Sequence, residues 1–196
     1  QSERRFRALI ERSSDSITLL DRNGTILYDA EPPTLRNLGY TQAEFLGKNA
    51  LDFLHPDDRE EATRLLAMVS QVPLTTATAQ MRVRHKDGSW HWIESTPTNL
   101  LAEPGVEALV INSRDVTERR RAEEQLRESE ARFSKAFHGS PMAISIATLD
   151  QGRFIDANES FLKLTGYDRE EIVGRTSIDA GLWPTPSDRE VFVRHV

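Results

Sequence analysis

Hydrophobic and polar positions change period several times along the chain, and each change predicts an element. Phe6, Leu9 and Ile10, at i, i+3 and i+4, predict a short amphipathic helix. Residues 16–20 and 25–29 predict two strands joined around Asp21-Arg22-Asn23-Gly24, a hairpin with an Asn-Gly turn. Thr41 with Glu44, and Asp57 with Glu60, have the capping-box spacing of helix starts. The second is followed by Ala62, Leu65, Leu66 and Val69 at helical spacing. Residues 77–84 and 90–98 are β-rich alternating segments flanking His85-Lys86-Asp87-Gly88-Ser89, and residues 106–114 predict a further strand after Glu103-Pro104-Gly105. Two strands, then helices, then three strands predict an α+β domain whose antiparallel sheet has helices on one face.

The pattern then repeats. Arg5-Phe6 falls on Arg132-Phe133 at an offset of 127, Ser13 on Ser140 and Ile17 on Ile144. After a one-residue shift, Gly24-Thr25-Ile26-Leu27 falls on Gly152-Arg153-Phe154-Ile155. Leu38-Gly39-Tyr40 meets Thr165-Gly166-Tyr167, and residues 42–47 meet 169–174 position for position. A period this long means two domains and not a solenoid. The second copy carries the same helix-start signals in different letters, Asp168 with Glu171 and Ser187 with Glu190. It is expected to lack the counterpart of residues 67–115 and so to be a partial domain. In it, Phe154, Ile155, Phe161, Leu164, Ile172 and Trp183 are the expected core positions of a closed sheet.

Composition narrows the chemistry. At 196 residues, 38% of them hydrophobic, the chain suits one full core and a smaller second one. Zero Cys excludes disulfides, a thiolate nucleophile, Cys-ligated zinc and a cysteinyl-flavin site, and fits a cytoplasmic protein. No apolar run is long enough for a membrane span or a signal peptide, and with a start at Gln1 without Met the chain is expected to be an excerpt from something longer. The net charge of −6 argues against nucleic-acid binding, and Arg119-Arg120-Arg121 reads as a solvated helix face. There is no phosphate-cradling Gly-rich loop, no Gly-x-Ser-x-Gly elbow and no His-Glu-x-x-His, so catalysis within this chain is not expected.

Several fragments, in order, resemble the PAS family with its C-terminal PAC extension, also called the S-box. In the first copy they are Leu38-Gly39-Tyr40, Phe45-Leu46-Gly47, His55-Pro56-Asp57-Asp58-Arg59, residues 86–92 and Arg114-Asp115-Val116-Thr117-Glu118-Arg119. In the second they are Ala157-Asn158-Glu159-Ser160-Phe161 and Thr165-Gly166-Tyr167. The resemblance implies a five-stranded antiparallel sheet enclosing a cleft, a sensory role, and output through a helix leaving the last strand. The implied organisation is a complete PAS domain over 1–116, a linker or signalling helix over 117–137, and part of a second PAS domain over 138–196. It also implies a downstream effector domain in the same polypeptide, a histidine kinase or, alternatively, a cyclic-dinucleotide enzyme. The first copy departs from the pattern with Asp29-Ala30-Glu31-Pro32-Pro33 where the second has Ala157-Asn158-Glu159, so its cleft mouth is expected to be reshaped by the prolines.

Leu19, Tyr28, Leu38, Phe53, His91 and Ile93 are the cleft and ligand candidates, His91 because it shares strand parity with Ile93. Some relatives bind haem, flavin or small metabolites; here the cofactor stays unassigned and haem is not expected. Haem-binding relatives place their ligand on the helix after the Asp-Arg pair, where the first copy has no His. His55 and His85 read as turn residues, His138 as a C-terminal helix cap, and His195 as a solvated position.

For signal transmission the candidates are Asp115, Thr117 and Glu118, since Asp115 and Glu118 have capping-box spacing at a helix start. Ala122, Leu126, Ser129, Phe133 and Ala136 recur at alternating steps of four and three, the heptad seam of a homodimer. The competing readings are a linker helix packed on its own domain and, for the whole chain, a constitutive dimerisation scaffold without a ligand.

Overall fold

The computed structural model describes residues 15–183 and 185–193. The helix expected from Phe6, Leu9 and Ile10, and His195, lie outside the described residues. The chain divides into two compact units, Gln1–Glu123 and Glu124–Val196.

In the first unit, β1 (Ser16–Leu20) and β2 (Ile26–Asp29) form the opening hairpin. Gly24 adopts φ 85° in its turn, where the Asp21 carboxylate accepts from the N–H groups of Asn23 and Thr25. The helical stretch comprises α1 (Glu31–Leu38), α2 (Gln42–Phe45) and α3 (Arg59–Gln71). β3 (Ala79–Arg84), β4 (Trp90–Leu100) and β5 (Ala108–Asp115) close the domain. The sheet is antiparallel with order β2-β1-β5-β4-β3, so the strand that comes last in sequence sits at the centre. Its inner face meets Phe45, Phe53 and Val69 from the helical stretch. Phe45 and Phe53 stack with ring centroids 4.4 Å apart, and Tyr40 sets an edge against both.

Helix starts divide into those legible locally and those not. Thr41 opens α2 as expected, its N–H donating to Glu44 Oε2 at 2.9 Å. Asp57 and Glu60 do not form the expected box: a short 3-10 turn, Pro56–Asp58, precedes α3, and Asp58 turns its carboxylate to Arg82. That guanidinium, with the Arg82 backbone N–H, holds the Asp58 pKa below the ordinary carboxylate value. The segment with the two prolines, expected only to reshape the cleft mouth, forms α1, because the first helical turn tolerates proline.

After β5 the chain enters α4 (Thr117–Gly139), then β6 (Ser145–Ala147), β7 (Phe154–Ala157), α5 (Glu159–Thr165), α6 (Arg169–Ile172) and α7 (Pro186–Val193). β6 and β7 form a small two-stranded sheet, so the second PAS-like unit is partial. The repeat is visible in hydrogen bonds. Ala30 N donates to Ile17 O and Asn158 N to Ile144 O; Gly47 N donates to Ile26 O and Gly174 N to Phe154 O. Ala50 N to Gly24 O and Ser177 N to Gly152 O is a third matched pair.

Asp168 with Glu171 forms the expected capping box of α6. The Ser187 and Glu190 start is corrected to Thr185 with Asp188, whose carboxylate takes both the N–H and the hydroxyl of Thr185, with Pro186 leading the helix. Of the expected second core, Phe154 and Ile172 are buried and Phe161 packs beside them, whereas Ile155 and Leu164 are exposed and Trp183 is half-buried. Ile155 follows the inward Phe154 on a strand, and strand alternation turns it outward.

Candidate functional site

Between the inner face of the first sheet and the helices lies a cavity of about 120 Å³. Three candidates for this cleft, Leu38, Phe53 and Ile93, line it; Leu19, Tyr28 and His91 do not. Strand parity explains Leu19: Thr18 and Leu20 face inward, so Leu19 turns to the opposite face.

Tyr28 is displaced by a bulge. Leu19 pairs with Tyr28 and Leu20 with Ile26, which leaves Leu27 as an extra residue between them. Strict alternation from Ile26 would turn Tyr28 inward. With the extra residue, Tyr28 is 41% exposed and Asp29, at 1%, becomes the inward side chain. Asp29 Oδ1 accepts from the Thr18 hydroxyl at 2.7 Å, and the Asp29 carbonyl accepts from Gln42 Nε2. No periodic signal could have found Asp29, since the bulge that exposes it to the cavity is a property of the strand pairing.

His91 has the inward parity expected of it but stands beyond the cavity wall. Its ring stacks on His85 at 4.8 Å, and its Nδ1 lies 2.7 Å from Asp115 Oδ2. Asp115 itself lines the cavity. Its other oxygen, Oδ1, accepts from the Thr117 N–H at 2.8 Å. Burial pushes the Asp115 pKa upward, but the hydrogen bonds from Thr117 and His91 outweigh it and leave the pKa below its ordinary value. An ionised carboxylate only accepts, so His91 Nδ1 carries the proton and donates.

Signal-transmission candidates therefore meet at one junction, but not as a capping box. Arg120 N bonds to Val116 O, so Val116 is the residue that opens α4. Asp115 serves the first turn from one residue further back. Thr117 adds a tie to the sheet, its hydroxyl accepting from Trp92 N at 2.8 Å, while Val116 N donates to Trp92 O. Glu118 is exposed. Just beyond, Arg120 lies 3.8 Å over the centroid of the Trp92 ring and bonds to Gln80 Oε1, a clamp that sequence reasoning missed because it joins residues far apart in the chain.

Further along α4, Ala122, Leu126, Ser129, Phe133 and Ala136 are all exposed; Leu126 is 61% and Phe133 56% accessible. Phe133 stacks on Phe137, which is buried. Among the described residues no three His, Cys, Asp or Glu gather as metal ligands, and no helix is long and apolar enough to cross a membrane.

A family model described as a PAS fold matches residues 28–110, and one described as a PAS domain matches residues 131–196. The chain is 26% identical over 181 residues to sporulation kinase E of Bacillus subtilis, covering 91% of this chain and 23% of that protein. It is 28% identical over 165 residues to an uncharacterized protein of Sinorhizobium fredii, covering 83% of this chain and 19% of that one. The chain thus spans about a fifth of the length of these curated relatives. Among solved structures, the PAS domain of an HTR-like protein from Haloarcula marismortui matches with a TM-score of 0.51 and 27% identity, over 58% of this chain and 96% of that chain.

Proposed function

Because this chain belongs to the PAS family, in two successive copies, we propose that it is the sensory input and dimerisation module of a larger cytoplasmic signalling protein. PAS domains are sensory and not catalytic, which accords with a site that holds a cavity and a helix junction. In this reading the first copy binds a small molecule in its cavity, and α4 carries the response to a downstream effector. The likeness to a sporulation kinase supports a histidine kinase as that effector. The mixed hydrocarbon and polar lining of the cavity supports a small molecule as the signal.

The observation that carries the reading is the double role of Asp115. One carboxylate both lines the cavity and accepts from the first turn of α4, so a ligand that draws on it changes the helix start directly. Loss of such an interaction at a helix start costs about 0.5–2 kcal/mol, enough to alter the junction without unfolding the domain. Asp115→Ala in the full-length parent is therefore expected to leave the first domain folded, by circular dichroism, and to abolish the response of kinase autophosphorylation to its stimulus. A parent carrying this substitution that responds like wild type would remove Asp115 from the pathway.

A further inference from the structure

The geometry points to a second ligand site in the first copy, an apolar chamber that takes a small uncharged molecule of the hydrocarbon or dissolved-gas kind. That its occupancy acts as a signal rests on the sensory role proposed above. Beside the cavity already described lies a further space of about 100 Å³. Leu65 and Leu66 of α3, Met81 of β3 and Pro97 of β4 wall it. Three alanines, Ala50, Ala62 and Ala79, also line it, and their short side chains leave the volume that a larger residue would fill. None of its lining residues is exposed. Native cores keep few voids larger than a water, and this one adjoins the cavity that Asp115 lines.

The chemistry of the lining selects the occupant. Among the described residues, Ser95 carries the only side-chain oxygen or nitrogen on the chamber wall, and its hydroxyl is paired with Ser113 Oγ at 3.0 Å. The backbone beside it is engaged in the sheet, Ala79 with Ser95, Met81 with Ile93, and Pro97 with Ile111. A buried water makes about three hydrogen bonds, and one hydroxyl that is already paired does not supply them. A charged or strongly polar ligand would leave its hydration for a wall that cannot serve it, whereas an apolar one restores the dispersion contacts that a void forgoes. Size restricts it further: a cavity of about 150 Å³ accepts benzene, so a space of about 100 Å³ takes no more than about four non-hydrogen atoms. Leu20, Ala50, Leu54, Val83, Ser95 and Ile111 line both spaces. An occupant therefore presses on the wall of the cavity that holds Asp115, whose carboxylate accepts from the Thr117 N–H at the start of α4.

Four probes test this on the whole chain: xenon, propane, and two near-isosteres of propane, ethanol and ethylammonium. Each is titrated at equal dissolved concentration while the methyl NMR signals of Leu65, Met81 and Ile111 and the amide signal of Thr117 are followed. The expected result is saturable methyl shifts with xenon and propane, propane binding at least about tenfold more tightly than ethanol or ethylammonium, a difference of about 1.4 kcal/mol. The Thr117 amide should shift along the same saturation curve. Ala62→Leu should fill the chamber and abolish the propane shifts; since a larger core residue is at risk of misfolding, the wild-type series alone decides the question. Ethanol or ethylammonium binding as tightly as propane overturns the apolar assignment, and no methyl shift with any probe overturns the chamber as a ligand site. Either result leaves the sensory reading to its own test at Asp115. Methyl shifts without a Thr117 shift overturn the signalling role of this chamber.

Discussion

Ala30 and Asn158 hold equivalent places in the two copies, and the difference between them redistributes the buried polarity of each unit. Asn158, fully buried, donates from Nδ2 to the carbonyls of Phe137 and Met142 and accepts at Oδ1 from the N–H groups of Ile144 and Phe161. It is both the cap of α5 and the anchor of the chain entering β6. In the first copy an alanine stands there, and the preceding residue, Asp29, supplies the buried polar group instead, on the cavity side. Asn158→Ala leaves the buried carbonyl of Phe137 unmatched, worth about 1–3 kcal/mol, together with three half-buried backbone groups, and also removes a helix cap. The expected loss for the second unit is about 3 kcal/mol, read by urea unfolding and by faster hydrogen exchange at Ile144 and Phe161. Unchanged exchange at those amides would show that the side-chain bonds are dispensable.

At the scale of elements, two of the attachments that hold the β-sheet to its neighbours make testable predictions. Arg120 clamps the root of α4 onto Trp92, and a half-buried cation–π contact of this kind is worth about 0.5–2 kcal/mol. Arg120→Ala is expected to shift the Trp92 emission and raise the exchange rate of the first α4 amides. An unaltered spectrum would mean the guanidinium does not shield the ring.

The turn between β3 and β4 is tied to α2 by Lys86 and Glu44, 2.7 Å apart. The Lys86 hydrogen bond and the Thr41 N–H hold the Glu44 pKa down at about 2, and within the turn Ser89 holds Asp87 at about 2. Both carboxylates have folded-state values below their unfolded ones. Their stabilisation is complete above the ordinary carboxylate range near pH 4 to 4.5 and is lost as the pH falls toward about 2. Acid titration of thermal stability should steepen in that window for the wild type and flatten for Glu44→Gln with Asp87→Asn. Identical acid profiles would rule out these groups as its source.

For the whole molecule, the surface to test is the exposed apolar stripe on α4. Leu126 and Phe133 are exposed along a helix whose other exposed positions are charged, polar or small, and burying such side chains is worth about 1.5–3 kcal/mol each. Two copies aligned in parallel would cover both seams symmetrically. The chain is expected to sediment as a dimer at micromolar concentration, and Leu126→Glu with Phe133→Glu to convert it to a monomer. A monomeric wild type rejects the seam as an interface; a dimeric double variant moves the contact elsewhere.

Local chemistry carried much of the architecture into the sequence. Alternation and turn residues announced all five strands of the first sheet, because many inward positions are apolar and turns need particular backbone angles. Capping pairs such as Thr41 with Glu44 were legible because both partners lie within one helical turn. The repeat showed itself because the same backbone groups must be satisfied at the same places in both copies. Leu38, Phe53 and Ile93 followed from that pattern. What tertiary structure alone decided depends on partners distant in the chain: the bulge between β1 and β2 that exchanges Tyr28 for Asp29 on the inner face, Asp58 turned to Arg82, and Arg120 laid over Trp92. Asp115 combines both kinds of information. Its place before a helix was readable from its neighbours, but its exposure to the cavity arises only where β5 settles between β1 and β4, since strand order is set by pairing across the sheet and not by position along the chain.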